Sequence, residues 1–283
     1  MHNHGNNSLK TVALLGLMSA ILVVGGRALG GDRGIVYGLL IAVVMNFASY
    51  FFSDKIALAM SGAQPLTPES APQIYARIAP MVGGLAQRMG IPMPKLYLTP
   101  EPSPNAFATG RNPQHASIAF TQGILQLMDD RELEGVVAHE LGHVLHRDIL
   151  ISSVAATLAA AITALSRMAF FFGGRRDDRE RGGGMETLFM LILGPIAAML
   201  IQMAISRTRE FDADAASAKY MGSPQPLIGA LRKLDTWSQR VPMEADPSTA
   251  HLYIMKPSGG GLMRLFSTHP ATEERIQRLE QMR

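Results

Sequence analysis

Two histidines and a glutamate in the segment VVAHELGHVLHRD, residues 136–148, have the spacing of a metal site. His139 and His143 are four residues apart, so on a helix both imidazoles lie on one face and can reach a single Zn²⁺ ion. Glu140 lies about 100 degrees further round the helix, where its carboxylate can contact a water molecule without binding the metal. That carboxylate can accept a proton from the water as it attacks a peptide carbonyl. The pattern predicts two zinc ligands and a general base.

A catalytic zinc site needs a third protein ligand. His146 lies a further turn along the same helix, where it converges poorly with the other two histidines. The chain has no cysteine, so the third ligand must be a His, Asp or Glu residue. Among the downstream carboxylates, Glu210 is the best candidate because alanines suited to helix packing follow it. Asp214, one turn on, is predicted to accept the second ring N–H of a ligating histidine. The alternative for Glu210 is a surface partner of nearby arginines.

The composition indicates a membrane protein. Of the 283 residues, 47% are hydrophobic and only 17% are charged, and the mean hydropathy is positive, which is unusual for a soluble globular protein. The net charge of +3 comes from arginines at the ends of apolar runs and not from a basic stripe, so no nucleic-acid partner is predicted.

Four apolar runs are candidates for transmembrane helices. The first two begin at Thr11 and Gly34, have about the ~20 residues that a span needs, and are separated by a short turn. The third and fourth begin at Ile149 and Glu186 and carry small residues at four-residue spacing, which suits helix packing in lipid. A cleaved signal peptide is the alternative interpretation of the first run. For the third and fourth runs, the alternative is a buried helical hairpin within a soluble domain.

The segments between and after these runs predict a mainly α, α+β fold. TPESAPQIYARIAPMVGGLAQRMG reads as an amphipathic helix, and PKLYLT, NAFATG and ASIAFTQ read as strands of a small antiparallel meander. Asp129 and Glu132 have the spacing of a capping box at the start of the metal helix. Two further helices are predicted around SRTREFDADAASAKYMG and HPATEERIQRLEQM, and the glutamates of the last one are expected to be solvated.

These elements predict four parts of the chain. Residues 1–53 form an N-terminal transmembrane hairpin, and residues 54–148 form the first part of a catalytic domain, which ends with the metal helix. Residues 149–205 form a second hydrophobic hairpin, and residues 206–283 complete the catalytic domain with the third ligand. The two halves of one metal site therefore flank an apolar insertion.

Taken together, these segments resemble the HtpX-type membrane zinc metallopeptidases, which are related to the eukaryotic CAAX prenyl endopeptidases. The resemblance is carried by the paired N-terminal spans, NAFATG, VVAHELGHVLHRD, SRTREFDADAAS and STHPATEERIQRL, which follow one another in order over nearly the whole chain. It implies a zincin-like catalytic domain, one Zn²⁺ bound by His139, His143 and Glu210, and Glu140 as the catalytic base.

Three further residues are candidates by resemblance or position. Asn105 in NAFATG could orient a substrate that adds to this strand, with an ordinary turn amide as the alternative. His269 or Arg207 could stabilise the oxyanion of the reaction, and for His269 the alternative is a cap of the last helix.

The resemblance also implies where the protein works and on what. It predicts a multi-pass protein of the cell inner membrane, with a cytoplasmic catalytic domain that cleaves misfolded or damaged membrane proteins under stress. Arginine and lysine residues are equally frequent on the two sides of the predicted spans, so charge alone does not decide the orientation. The alternatives to this function are a zinc-stabilised membrane scaffold or chaperone without hydrolysis and a CAAX-type prenyl-protein endopeptidase.

Overall fold

The structure, a computed structural model, describes residues 4–155, 157–158, 207–240 and 270–282. Helices dominate the described residues, and one four-stranded sheet lies among them. Most of the third apolar run, all of the fourth, the charged loop between them and His269 lie outside the described residues. The structure therefore does not test the predictions made for those segments.

Helix α1 (His4–Met60) is a hairpin of two helices, since Gly31 has φ 58 and ψ −139 and breaks the helical backbone. Its halves pack so closely that a Cβ at Gly26 or Gly38 would overlap backbone atoms of the opposite half. The segment Gly30–Met60 is long and apolar enough to cross a membrane, whereas the apolar segment Leu9–Val24 is shorter. The predicted hairpin is present, and its second helix continues past residue 53 to Met60.

Helix α2 (Pro72–Met89) is the predicted amphipathic helix. Proline stands in its first turn, where the missing N–H costs no hydrogen bond. The helix ends at Gly90, whose φ of 68 is accessible to glycine without a steric penalty. Its buried residues, Ile78, Val82, Leu85, Ala86 and Met89, repeat at helical spacing and face the main core.

The sheet contains β1 (Gln64–Pro65), β2 (Lys95–Thr99), β3 (Ala106–Gly110) and β4 (Ala116–Thr121) in the order β1-β2-β4-β3. The three predicted strands are present, but the prediction of an antiparallel meander was wrong. β4 pairs parallel to β2 and antiparallel to β3, so the sheet is mixed. The chain passes from β2 to the edge position of β3 and returns through a hairpin to insert β4 between them. β4 is buried along its whole length, as expected for a central strand.

The remaining described helices surround α4, the metal helix. They are α3 (Gln122–Leu127), α4 (Asp130–Leu145), α5 (Arg207–Met221), α6 (Gln225–Arg240) and α7 (Thr272–Glu280), and residues 149–155 are also helical. The predicted capping box starts α4: the Asp129 side chain accepts from the Glu132 N–H, and the Glu132 side chain accepts from the Asp129 N–H.

Two glycines let other helices approach α4. A Cβ at Gly142 would lie 3.1 Å from the Cα of Ala213 in α5. A Cβ at Gly135 would lie 2.7 Å from the backbone nitrogen of Leu227 at α6. The Ser217 hydroxyl of α5 also donates to the Gly135 carbonyl at 2.9 Å. These contacts bring the carboxylates of α5 within reach of the histidines of α4.

The α1 hairpin packs against the rest of the protein at two places. Leu14 and Met18 pack against a cluster from the start of the third apolar run that includes Ile151, Val154 and Leu158. At the other end, Ala57 and Leu58 pack against Phe107 of β3 and Ala119 of β4. This second contact explains why the helix extends beyond the apolar run, because packing on the sheet stabilises its last turns.

Candidate metal centre

Three side chains from α4 and α5 converge in the structure. The Nε2 atoms of His139 and His143 are 3.3 Å apart. Glu210 on α5 places Oε2 3.6 Å from His139 Nε2 and Oε1 3.7 Å from His143 Nε2. One ligand atom from each residue lies within 4.8 Å of the other two. The structure therefore brings together the three residues that the sequence predicted as ligands.

Each histidine ring is oriented by a carboxylate that contacts its Nδ1 atom, the ring nitrogen that does not face the ligand cluster. His139 Nδ1 lies 2.9 Å from Asp214 Oδ1, as the sequence predicted. His143 Nδ1 lies 3.2 Å from Asp148 Oδ2, a contact that the sequence analysis missed. A carboxylate that accepts the Nδ1–H keeps the Nε2 lone pair free for a metal and makes the imidazole a better ligand. Both rings are thus prepared to bind through Nε2.

A backbone turn after α4 delivers Asp148 to the site. Arg147 has φ 57, the left-handed conformation that residues other than glycine rarely adopt. The turn is closed by the Asp148 N–H, which donates to the His143 carbonyl at 3.2 Å. The acidic residue at the end of the VVAHELGHVLHRD segment, just past the helix, is the sequence signal that would have identified this contact.

Arg275 of α7 is the second site residue that the sequence analysis missed. Its Nε and Nη2 donate to the two carboxylate oxygens of Asp214 at 2.9 and 2.6 Å, and its Nη1 is 3.9 Å from Glu210 Oε2. The residue is only 1% exposed. The pKa of Asp214 lies below its ordinary value because Arg275 and His139 stabilise the charge against the cost of burial. Arg275 thus fixes Asp214 as a carboxylate.

The side chain of Glu140 lies between its own helix, α4, and the edge strand β3. Its Oε2 accepts a hydrogen bond from the Ala108 N–H at 2.8 Å, and its side chain is buried. Burial raises the pKa of the Glu140 carboxyl, although the two histidines and the Ala108 N–H act in the opposite direction. A buried carboxylate with a raised pKa beside the ligand cluster has the properties of a proton acceptor.

The cluster carries an excess of negative charge that suits a cation. Burial disfavours the charged form of His143, but Asp148, Glu210 and Glu140 outweigh it and raise the pKa of this histidine to about 10. Two imidazole nitrogens and one carboxylate oxygen form the ligand set of a catalytic zinc site. The donor atoms, their spacing and the carboxylates behind both rings therefore fit a Zn²⁺ ion.

The other predicted site residues have varied surroundings. Asn105 is buried at the start of β3, where its N–H donates to Thr121 Oγ1 at 2.8 Å. Arg207 is exposed at the start of α5, whereas Arg209 is buried close to Asp148 and Glu210. The last helix begins after Ala271 as its N-cap, not after His269. Its glutamates are half-buried or exposed, but Arg275 on the same helix is buried in the site.

Comparison with known proteins identifies the family. Residues 72–283, which include the whole ligand cluster, match Peptidase family M48. The chain belongs to this family. The peptidase is 51% identical to a "Protease HtpX homolog" of Methylibium petroleiphilum, with 98% of each chain covered. It is 52% identical to one of Ralstonia pickettii, with 98% of this chain and 96% of that relative covered.

A solved structure has a similar fold. The crystal structure of S. mikatae Ste24p matches with a TM-score of 0.50 and 20% sequence identity. The match covers 97% of the M48 peptidase but only 64% of the Ste24p chain. The family and its close relatives confirm the expected HtpX-type resemblance. The peptidase is a membrane zinc metalloprotease.

Proposed function

We propose that this M48 peptidase is a zinc-dependent endopeptidase in which His139, His143 and Glu210 bind one Zn²⁺ per chain and Glu140 is the general base. The observation that carries the proposal is the convergence of three ligand atoms within 4.8 Å, next to a buried glutamate. A structural zinc site has all its positions filled by protein and has no use for such a base.

The reaction begins when a water molecule attacks the carbonyl carbon of the scissile peptide bond. A zinc ion held by the three ligands would polarise that carbonyl and make the water more acidic. Glu140 accepts the proton that the water loses, and its contact with the Ala108 N–H fixes the position of the carboxylate. Glu140 then gives the proton to the leaving nitrogen as the C–N bond breaks.

The carboxylates around the site have a supporting function. Asp214 and Asp148 accept from the Nδ1 atoms of His139 and His143 and hold both rings at fixed angles. Arg275 neutralises Asp214, so the two ligating rings are not surrounded by uncompensated negative charge. Asn105, Arg207 and His269 remain candidates for contacts with the substrate or the oxyanion.

The substrate is proposed to add to the edge of the sheet as an extended strand. Among the described strands, β3 pairs only with β4, and its Ala108 N–H donates to Glu140 instead of to a strand. An edge strand offers main-chain hydrogen bonds to any sequence, which suits a protease with many substrates. The far end of this edge is closed, because Ser153 Oγ accepts from the Gly110 N–H at 3.2 Å.

Misfolded or damaged membrane proteins are the proposed substrates. The edge strand lies close to the membrane part, since Phe107 of β3 packs against Ala57 and Leu58 at the end of the Gly30–Met60 helix. We propose that the protein crosses the cell inner membrane several times, through α1 and the hairpin 149–205, with a cytoplasmic catalytic domain. An unfolded segment of a neighbouring membrane protein could then reach the site from the bilayer surface.

The decisive experiment separates metal binding from hydrolysis. Glu140→Gln should retain zinc, measured by metal analysis of the purified protein, while cleavage of a membrane-protein substrate in proteoliposomes falls by about 10²–10⁴-fold. Glu210→Ala should instead lose zinc and activity together. The matched control is Glu134→Gln on the same helix, because Glu134 pairs only with Arg88 among the described residues.

Other outcomes would contradict the proposal or favour one of its alternatives. Cleavage by the Glu140→Gln variant at the wild-type rate would exclude Glu140 as the general base, whereas zinc binding without any cleavage by the wild-type protein would favour the scaffold or chaperone alternative. Stoichiometric zinc in the Glu210→Ala variant would mean that another residue is the third ligand. Cleavage confined to prenylated peptides would favour the CAAX-type alternative.

A further inference from the structure

An exposed aromatic patch lies near the end of the helix that is apolar enough to cross a membrane. Phe47 and Phe51 have ring centroids 4.5 Å apart, and Tyr50 and Phe52 extend the cluster at 5.0 and 6.2 Å. These four side chains, the aromatic patch, are between 39% and 56% exposed. Aromatic side chains are typical of the level where a bilayer meets water. The patch therefore marks the height of the bilayer surface on α1.

Two cations lie on this patch. Lys55 Nζ is 5.4 Å from the ring centroid of Phe52, and Arg111 Cζ is 5.5 Å from that of Phe51. Neither side chain is paired with a carboxylate in the part of the chain that the structure describes. Cation–π contacts hold both charges at the level of the rings and leave their N–H donors for an anion. The patch thus combines an apolar surface with unpaired positive charge.

Neighbouring side chains orient the guanidinium of Arg111. Its Nη2 donates to His115 Nε2 at 2.9 Å, and His115 Nδ1 in turn donates to Asn112 Oδ1 at 2.8 Å. Because an arginine N–H can only donate, His115 accepts through Nε2. The partners of Arg111 in the described part of the chain include no carboxylate, so its charge is available to an anion. A guanidinium held in this way suits a phosphate oxygen pair.

Arg111 also connects the patch to the proposed site. It directly follows Gly110, the last residue of the edge strand β3. Ala108, which contacts Glu140, is three residues earlier, a distance of about 10 Å along an extended chain. An anion bound at Arg111 therefore acts on the same strand that positions the general base.

We propose that Lys55 and Arg111 bind the phosphate of an anionic phospholipid headgroup and so hold the edge strand β3 at the bilayer surface. The membrane span that leads into the patch makes a lipid the occupant, since a headgroup phosphate lies at the level of interfacial aromatic rings. Each cation near an anionic bilayer surface strengthens binding by about fivefold. Cleavage of membrane substrates then depends on anionic lipid, a consequence that rests on the proposed function.

The test measures lipid binding first and without proteolysis. Full-length Glu140→Gln protein, in which we expect proteolysis to be abolished, is placed in nanodiscs of phosphatidylcholine with a minority of phosphatidylglycerol. The lipids retained after release are identified by native mass spectrometry. Phosphatidylglycerol should be retained, and the added changes Lys55→Gln and Arg111→Gln should together reduce its retention by at least tenfold. The charge-keeping pair Lys55→Arg and Arg111→Lys should preserve retention.

The matched control is Arg131→Gln. Arg131 is an exposed cation in the first turn of α4 and is not part of the aromatic patch, so its loss should leave phosphatidylglycerol retention unchanged. Equal retention in the Lys55→Gln/Arg111→Gln protein and the control would overturn the proposal. So would displacement of the bound lipid by inorganic phosphate, because the site would then recognise a free anion.

A second measurement tests the functional consequence in protein with Glu140 intact. Cleavage of a membrane substrate should be faster in nanodiscs with phosphatidylglycerol than in phosphatidylcholine alone, and the Lys55→Gln/Arg111→Gln change should abolish this difference. An unchanged difference would refute the link between lipid and cleavage. Absence of any cleavage would refute the proposed function but would leave the lipid-retention result to decide the lipid site on its own.

Discussion

Replacement of Arg275 by methionine is the sharpest test of how the metal site is held together. Arg275 and Asp214 are each 1% exposed and are joined by two hydrogen bonds of 2.9 and 2.6 Å. Methionine preserves the apolar part of the side chain but leaves the Asp214 carboxylate buried without its guanidinium. Removal of one partner from a buried ion pair costs about 3–5 kcal/mol of the free energy of unfolding.

That cost is large enough to measure by thermal unfolding. For a chain of this size, 1 kcal/mol corresponds to a shift in Tm of about 2–4 °C, so Arg275→Met should lower the Tm of the zinc-loaded protein by roughly 10 °C. Unfolding is followed by circular dichroism in detergent at one fixed scan rate, because membrane proteins often unfold irreversibly. Zinc content is measured on the same samples and should fall as His139 loses its fixed orientation.

A double variant shows whether the effect comes from the charge of Asp214. Asp214→Asn keeps an acceptor for His139 Nδ1 but removes the charge, so Arg275→Met with Asp214→Asn should be more stable than Arg275→Met alone by about 2 kcal/mol. The surface control is Arg232→Met, since the Arg232–Glu280 pair joins α6 to α7 with both side chains exposed and contributes at most about 1 kcal/mol. A Tm for Arg275→Met equal to that of this control would refute the reasoning.

Three further predictions concern the backbone, the packing and the charge of the site. Arg147→Gly should leave the Tm of the protein unchanged or raise it, because glycine adopts the φ of 57 without the roughly 1 kcal/mol steric cost that arginine bears. Arg147→Val should instead lower the Tm. Gly135→Ala should lower both Tm and zinc content, because the added Cβ would lie 2.7 Å from the Leu227 nitrogen. The control is Gly84→Ala, since a Cβ at Gly84 would enter open space. In chelator-treated protein the pKa of His143 is raised from 6.5 to about 10, so the charge of this histidine stabilises the fold fully below pH 6.5. This stabilisation is lost as the pH rises towards about 10. The Tm should therefore fall over that range, and His143→Gln should flatten the profile of Tm against pH.

The metal helix and the convergence of the candidate ligands were predictable because most of their signals are local. The spacing of His139 and His143 and the capping box at Asp129 depend only on helical geometry, and the structure has both. Glu210 lies far along the chain, but its helix of small residues indicated close packing, and Gly142 indeed contacts Ala213. Local periodicity thus identified the elements and the residues that they contribute.

Long-range pairing explains what the sequence did not reveal. The three predicted strands have similar patterns, and no local preference indicates that β4 inserts between β2 and β3. Arg275 lies among charged residues in TEERIQRLE, which is typical of an exposed helix. Only the packing of α7 against α5 reveals that this arginine is buried against Asp214. Asp148 was missed because its contact depends on the unusual backbone of Arg147.

The order of the site residues along the chain has a consequence for when the protease becomes active. His139 and His143 are synthesised before the apolar residues 149–205, and Glu210 and Arg275 are synthesised after them. Because a chain folds progressively from its N-terminus as it is made, the cluster cannot be completed until the apolar insertion has left the ribosome. A truncated chain that ends within the insertion contains His139, Glu140 and His143 but lacks Glu210, the proposed third ligand. The interrupted site thus delays proteolytic activity until the membrane part has been made.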